Sequence, residues 1–352
     1  MSKRRCVFCG SLFKGQKRNF EHVIPEWLVS AADLRRRKME VHVGKKLVTV
    51  AMNRLGSASC AVCNQTSSAL EGAAKTVFSK IHSNQALSQD DAVTLLDWLD
   101  KVRVGLWLWL LQINAAHHAI EPKFRISDRL GVKDRLVAIA KYAPHASMRG
   151  LAFWGVTELF QLMPSVIGLL INNLALISVS SEFLVARHLV NLHIGRKLDT
   201  SGPDEFDIHP ATARERTFHF FGQPQIFAQS IFPSGIPALN SIKTTPSQRH
   251  PKLLQSAVIT LDGTLMPTGQ LLGPIQTTGT NVDIHTVLME INTYSASNFL
   301  ARDMLKSDFA GAENPALMRR VLARYESVLK GEELILEDLR FRYRQLTGII
   351  LP

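Results

Sequence analysis

The sequence predicts an α+β protein with a small, metal-stabilised N-terminal module, residues 1–82, followed by a larger mixed helix and strand domain, residues 83–352. Three observations carry this prediction. All four cysteines fall early, as the pairs Cys6-x-x-Cys9 and Cys60-x-x-Cys63. The positive charge falls there too: residues 1–80 hold 15 Lys and Arg against 5 Asp and Glu, whereas the remaining residues hold 26 against 25. Beyond residue 83, apolar residues at helical and at strand spacing succeed one another without an internal repeat.

Two CxxC pairs can place four thiolates around one tetrahedral Zn²⁺, because a two-residue gap lets both sulfurs of a pair turn to the same ion. The expected ligands are Cys6, Cys9, Cys60 and Cys63, and an ion with four thiolates has no open position, so its role is structural. Four unrelated buried cysteines and disulfides are the alternatives. No apolar run follows the basic start of the chain, so no secretory signal is expected, and reduced thiols fit a soluble, cytoplasmic protein.

Between the pairs, Arg18–Ile24 has strand character, which Pro25 interrupts. Glu26 begins a short helix with Pro25 at its first position, where a missing N–H costs nothing. Residues 40–52 alternate, with Val41, Val43, Leu47, Val48 and Val50 around a Gly44-Lys45-Lys46 turn, as a hairpin does. His42 reads as a surface residue of that hairpin. Asn64–His82 reads as a helix with Leu70, Ala73, Ala74, Val77 and Ile81 on one face. Its positive N-terminal end would lie at the zinc.

Glu21-His22 adds reactive chemistry. A carboxylate can hold a hard cation such as Mg²⁺, while a neutral imidazole accepts a proton from water. Asn64, directly after the last cysteine, offers an amide oxygen to the same cation. The order Cys-x-x-Cys, Glu-His-x-x-Pro, Cys-x-x-Cys-Asn resembles the HNH endonuclease family, the ββα-metal nucleases in their zinc-stabilised form. The resemblance covers about residues 1–80. It implies a ββα-metal (HNH) fold with the acid–His pair at the end of the first strand, and metal-dependent hydrolysis of phosphodiester bonds. Carried over residue by residue, it makes Glu21 a ligand of the catalytic Mg²⁺ or Mn²⁺ and His22 the general base. Asn53 orients that base, and Asn64 completes the metal site. This chain departs from the pattern in three ways. Glu replaces the commoner Asp at position 21, Asn53 stands eleven residues before Asn64, a wider gap than usual, and no His follows Asn64 as far as Leu70. Glu71 lies seven residues after Asn64, on the same helical face, and is either an extra ligand or a surface glutamate.

The formal net charge of +11 sits almost wholly on this module. A polyanion is the natural partner, since each Lys or Arg beside a phosphate releases condensed counterions. The expected partner is nucleic acid, DNA ahead of RNA, with Arg35-Arg36-Arg37-Lys38 the densest basic run. The competing assignment is a non-catalytic zinc-containing nucleic-acid-binding or interaction protein. It accounts for the cysteines and the charge but leaves Glu21-His22 and Asn64 as coincidences. No membrane is expected as a partner: the most apolar stretch, Leu162–Val179, is interrupted by Pro164 and Asn172-Asn173 and reads as two buried strands.

The larger domain begins after the polar break at 83–88. Ser88-Gln89-Asp90-Asp91 resembles a capping box. A long helix is expected from Asp90 to about Ala116, with Trp98, Trp107 and Trp109 in the core and His117-His118 at its end. A second helix is expected over 127–142, strands over 149–160 and 165–178, and a helix over 181–190. Asp199, Asp204, Glu205, Asp207 and His209 lie in a polar connection that reads as solvated. Strands follow at 217–221 and 225–232, and a hairpin turns at Asp262-Gly263. Residues 234–252 and 267–281 read as loops. The chain closes with two helices, near 315–330 and 332–346, split at Gly331. The role expected for this domain is target recognition or assembly.

Overall fold

The computed structural model describes every residue except 1–4, 14–17, 35–36, 44–45, 116–121, 146–149, 182–191, 198–204, 211–219, 223, 234–244, 247–253, 261–270, 276, 278–281, 307–314 and 352. Among those excluded are Arg35, Arg36, His117, His118, Asp199 and Asp204, together with 182–190 of the helix expected over 181–190, whose first residue, Ser181, ends a strand. The expected turn at Asp262-Gly263 also lies outside the described residues.

The first 82 residues contain β1 (Arg18–His22), α1 (Glu26–Ala31), β2 (Lys38–Val43), β3 (Lys46–Ala51), β4 (Gly56–Cys60) and α2 (Ala61–His82). The alternating stretch at 40–52 is the antiparallel pair β2–β3. Pro25 stands at the N-cap of α1, one residue before its expected place, in extended conformation. β1 and β4 pair antiparallel, Arg18 opposite Cys60 and His22 opposite Gly56. Glycine is required at 56: a Cβ there would lie 2.2 Å from the Glu21 carbonyl oxygen and 2.7 Å from the Phe20 ring. α2 starts three residues earlier than Asn64, because the extended Cys60 takes the N-cap and Cys63 falls in the first turn. Ala74, Val77 and Ile81 face the core as expected, joined by Phe78, whereas Ala73 is exposed.

α3 (Gln89–Ile113) follows the short strand β5 (Leu87–Ser88). The capping box forms: the Ser88 hydroxyl accepts from the Asp91 amide, and the Asp91 carboxylate accepts from the Ser88 amide at 2.7 Å. All three tryptophans of α3 are buried. Trp98 meets Phe78 of α2 edge-on at 5.1 Å between ring centroids, and Trp27 of α1 lies 5.4 Å from Phe78, so one aromatic cluster joins three helices.

The remaining elements are β6 (Asp134–Lys141), β7 (Leu151–Trp154), α4 (Glu158–Leu162), β8 (Val166–Ile171), β9 (Leu174–Ser181), β10 (Leu192–Lys197), β11 (Glu205–Pro210), β12 (Gln225–Pro233), β13 (Thr245–Pro246), β14 (Leu254–Thr260), β15 (Leu271–Leu272), α5 (Val282–Lys306) and α6 (Pro315–Thr347). Seven strands form an antiparallel sheet in the order β13-β14-β12-β6-β9-β8-β7. The apolar stretch at 162–179 does contain two buried strands, β8 and β9, joined at Asn172-Asn173 with Asn172 at φ 51°. Asparagine tolerates that left-handed conformation.

Several expectations need correction. The stretches expected as loops contain the short strands β13 and β15, and Phe221, expected in a strand, lies in a turn. Residues 127–142 are not a helix: 126–128 form a 3-10 turn, and 134–141 form the central strand β6. Its residues are buried on both faces, which removes the alternation that would have marked a strand. Residues 149–160 are not all strand, since 158–162 are helical. The polar connection at 199–215 includes strand β11, paired with β10. The last helix runs unbroken through Gly331. One glycine costs a helix roughly 1 kcal/mol, and apolar contacts of Leu336, Leu339 and Tyr343 with α5 offset that.

α3 is the common wall of the molecule. It touches α2 and β4 on one side and β6 and β9 on the other. A single apolar cluster therefore runs from Cys6, Phe8 and Val29 through Phe78 and Trp98 to Ile139, Leu176 and Phe227, across the polar break at 83–88. Polar links reinforce it. The Lys141 ammonium of β6 caps the end of α2 through the carbonyls of Ile81 and His82, at 2.8 and 2.9 Å. Arg135 of β6 reaches Asp97 and Asp100 of α3 at 2.5 and 2.9 Å. Among the described residues, no helix is long and apolar enough to cross a membrane.

Candidate metal centre and the Glu21–His22 strand

The four cysteine sulfurs lie within 4.8 Å of one another. A tetrahedral thiolate site with metal–sulfur distances of about 2.3 Å has its sulfurs about 3.8 Å apart. The cluster would need to contract by only about 1 Å to grip one ion, so the donor set fits a structural metal site. Local structure explains the approach. Gly10, at φ 72°, turns the chain back after Cys9, and its amide donates to the Cys6 carbonyl at 3.0 Å. The Cys60 amide donates to the Cys6 sulfur at 3.3 Å. The knuckle is anchored on both sides, since the Val7 amide donates to Ala58 of β4 and the Val7 carbonyl accepts from the Ile126 amide. Without a cation the thiols differ. Burial pushes Cys6 and Cys63 up, while Cys9 is raised by burial but brought down to about 7 by Ser11 and by hydrogen bonds with its sulfur neighbours. Four thiolates at this range repel one another unless a cation sits among them.

At the other end of the β1–β4 pair, consecutive residues leave a strand on opposite faces. Glu21 turns inward. Its carboxylate is buried, accepts from the Ser67 hydroxyl of α2 at 3.1 Å, and lies 2.6 Å from the ammonium of Lys101. The same ammonium lies 2.6 Å from the Glu71 carboxylate and donates to the His22 carbonyl at 2.7 Å. Its side chain is only 1 % exposed. Burial raises the Glu21 pKa above its ordinary value; Lys101 opposes this, and Glu71 adds to it. Glu21 and Glu71 thus converge on one cation, and that cation is a lysine from α3.

His22 turns outward. Its ring lies edge-on to Phe20, with centroids 4.9 Å apart, and Phe20 is 49 % exposed. Arg18, also exposed, lies on the same face of β1, its guanidinium 5.4 Å from the centre of the Phe13 ring. The outer face of β1 therefore presents a cation, an aromatic ring and an imidazole in succession.

Asn64 lies in the first turns of α2, where its amide oxygen accepts from the Ser59 hydroxyl at 3.1 Å. Asn64, Ser67 and Glu71 follow one another at helical spacing on the side of α2 that meets β1 and β4. Asn53 is exposed on the 3-10 turn at 52–54, and among the described residues no hydrogen bond joins it to His22. The structure thus brings Glu21 and Glu71 together and keeps Asn64 on the same helix face. The imidazole stands on the other side of the strand, and Asn53 stands apart. Sequence reasoning missed Lys101 and Ser67. The available signal was a cluster of charges, Asp97, Asp100, Lys101 and Arg103, inside an otherwise apolar helix, since charges buried there require partners. A separate cavity of about 800 Å³, lined largely by apolar groups such as Leu106, Trp109 and Phe153, includes none of these site residues.

No family model matches the chain, and no curated protein or solved structure matches it either.

Proposed function

We propose that the chain is a metal-dependent endonuclease of the HNH type, hydrolysing phosphodiester bonds of nucleic acid, DNA ahead of RNA. The observation that carries this reading is local. An antiparallel strand pair runs straight into a helix, with Cys60 and Cys63 at the junction and Glu21-His22 closing the first strand. This arrangement supports a ββα-metal reading of residues 1–82. Cys6, Cys9, Cys60 and Cys63 would hold a Zn²⁺ that ties the first knuckle to the start of α2. Arg18 and Phe20 engage the backbone and bases of the nucleic acid, as a positive charge beside an exposed ring does. His22 accepts a proton from the attacking water at a ring nitrogen. Mg²⁺ or Mn²⁺, when bound by Glu21 with Asn64 and Glu71 nearby, would offset the charge that builds on the phosphate.

The observation that favours the competing reading is the Lys101 ammonium between Glu21 and Glu71. A permanently filled cation site suits a zinc-containing protein that binds nucleic acid without cutting it. Cleavage assays separate the two. Purified protein is incubated with plasmid, linear duplex, single-stranded DNA and RNA, with Mg²⁺ or Mn²⁺ and with chelator. The expected result is cleavage that requires divalent metal and falls by about a hundredfold or more in His22→Ala, with cysteine-bound metal and melting temperature unchanged. Retention of nucleic acid with no cleavage in any metal would leave the binding reading in place.

A further inference from the structure

We propose that Lys101 is the resident counter-ion of the Glu21–Glu71 site, and that a divalent ion enters only by displacing it. This deepens the reading of Glu21 as a metal ligand and rests on it. The donors fit a hard cation: two carboxylates and one carbonyl, all oxygen, from β1 and α2. The three distances to the ammonium, 2.6, 2.6 and 2.7 Å, show that the oxygens already point at one centre. An ammonium has three N–H donors, and three acceptors match them. Two carboxylates nevertheless carry twice the charge of one ammonium, and a divalent ion balances them.

Lysine suits the part of an exchangeable occupant. Its charge sits at the end of a flexible four-carbon stem, so it can leave without moving the helix that carries it. Its neighbours on α3 are already engaged elsewhere: Asp97 and Asp100 with Arg135, and Arg103 with Asp100. Within α3, Lys101 is the group turned to β1. Metal affinity at Glu21 is therefore set as much by the work of expelling Lys101 into water as by the ligands themselves.

The test is Mn²⁺ binding, read by electron paramagnetic resonance on full-length protein with its cysteine site loaded. The expected result is that Lys101→Met binds one Mn²⁺ at least about tenfold more tightly than the parent chain, and that Glu21→Gln added to Lys101→Met abolishes the gain. Equal affinity in the parent and Lys101→Met proteins would overturn the proposal, as would a gain that survives Glu21→Gln. Should Lys101→Met be unfolded in buffer without Mn²⁺, millimolar Mn²⁺ restores its melting transition; failure to restore it also overturns the proposal. Because the readout is binding, it stands apart from cleavage. Active parent enzyme with no gain in Lys101→Met sinks the exchange and spares the nuclease reading. A gain in affinity without cleavage by either protein does the reverse.

Discussion

Cys60→Ser is expected to lose the bound metal and to melt about 5 °C or more below the parent chain. A serine hydroxyl does not replace a thiolate at neutral pH, and three remaining sulfurs leave the ion open to water. In isolated zinc-finger peptides the metal supplies roughly 10–16 kcal/mol of apparent binding energy. Here part of the module is also held by the shared core, so a loss of several kcal/mol is the reasonable expectation, and each kcal/mol shifts the melting of a 352-residue chain by about 1–2 °C. Serine keeps the backbone N–H that donates to the Cys6 sulfur and is itself a good N-cap for α2, so the variant isolates the loss of the thiolate. Elemental analysis should fall from one metal per chain to none, and limited proteolysis should open the segment before α2 first. A variant that keeps the parent melting point would show that the sulfur cluster carries no structural metal.

Arg135→Met is expected to cost about 3–5 kcal/mol, the scale for removing one partner from a buried ion pair. Arg135 is 2 % exposed and bonds Asp97, Asp100 and, through Nε and Nη2, the Gln229 side chain at 2.8 and 2.6 Å. Asp100 keeps Arg103, but Asp97 is left without its cation. The informative comparison is Arg302→Met. Arg302 and Glu333 stand just as close, at 2.6 Å, yet the side chains are 59 % and 34 % exposed. Exposed pairs contribute only up to about 1 kcal/mol. Denaturation midpoints should therefore separate the two variants clearly, and similar losses would mean that burial is not what makes the Arg135 network strong.

What the sequence disclosed follows a physical rule: features set by neighbours a few residues apart were legible. The cysteine spacing placed four sulfurs together, the alternation at 40–52 marked a hairpin, and Ser88 with Asp91 marked a helix start. Features set by distant partners were not. β6 reads like a helix because it is covered on both sides by segments that no local pattern announces. α5 gave no signal strong enough to be assigned. Gly331 suggests a break only when the contact of Leu336 and Leu339 with α5 is unknown. Of the candidate site, Glu21 and Glu71 converge on one centre, but the occupant of that centre lies 30 residues beyond Glu71 and in another element. The opposite directions of Glu21 and His22 were available from strand periodicity, and the motif drew attention away from it.

The placement of α3 bears on any attempt to divide this chain with scissors. A fragment ending at His82 would keep all four thiols, the acid and the imidazole, so by motif it would look whole. It would have lost the one positive charge that sits between two carboxylates, the lid over Phe78 and Trp27, and the lysine that closes the end of α2. Such a fragment would gather metal at its sulfurs and still fail to settle into a fixed shape. The smallest self-sufficient piece must reach past Lys101, and past Lys141 if the end of α2 is to stay tied down.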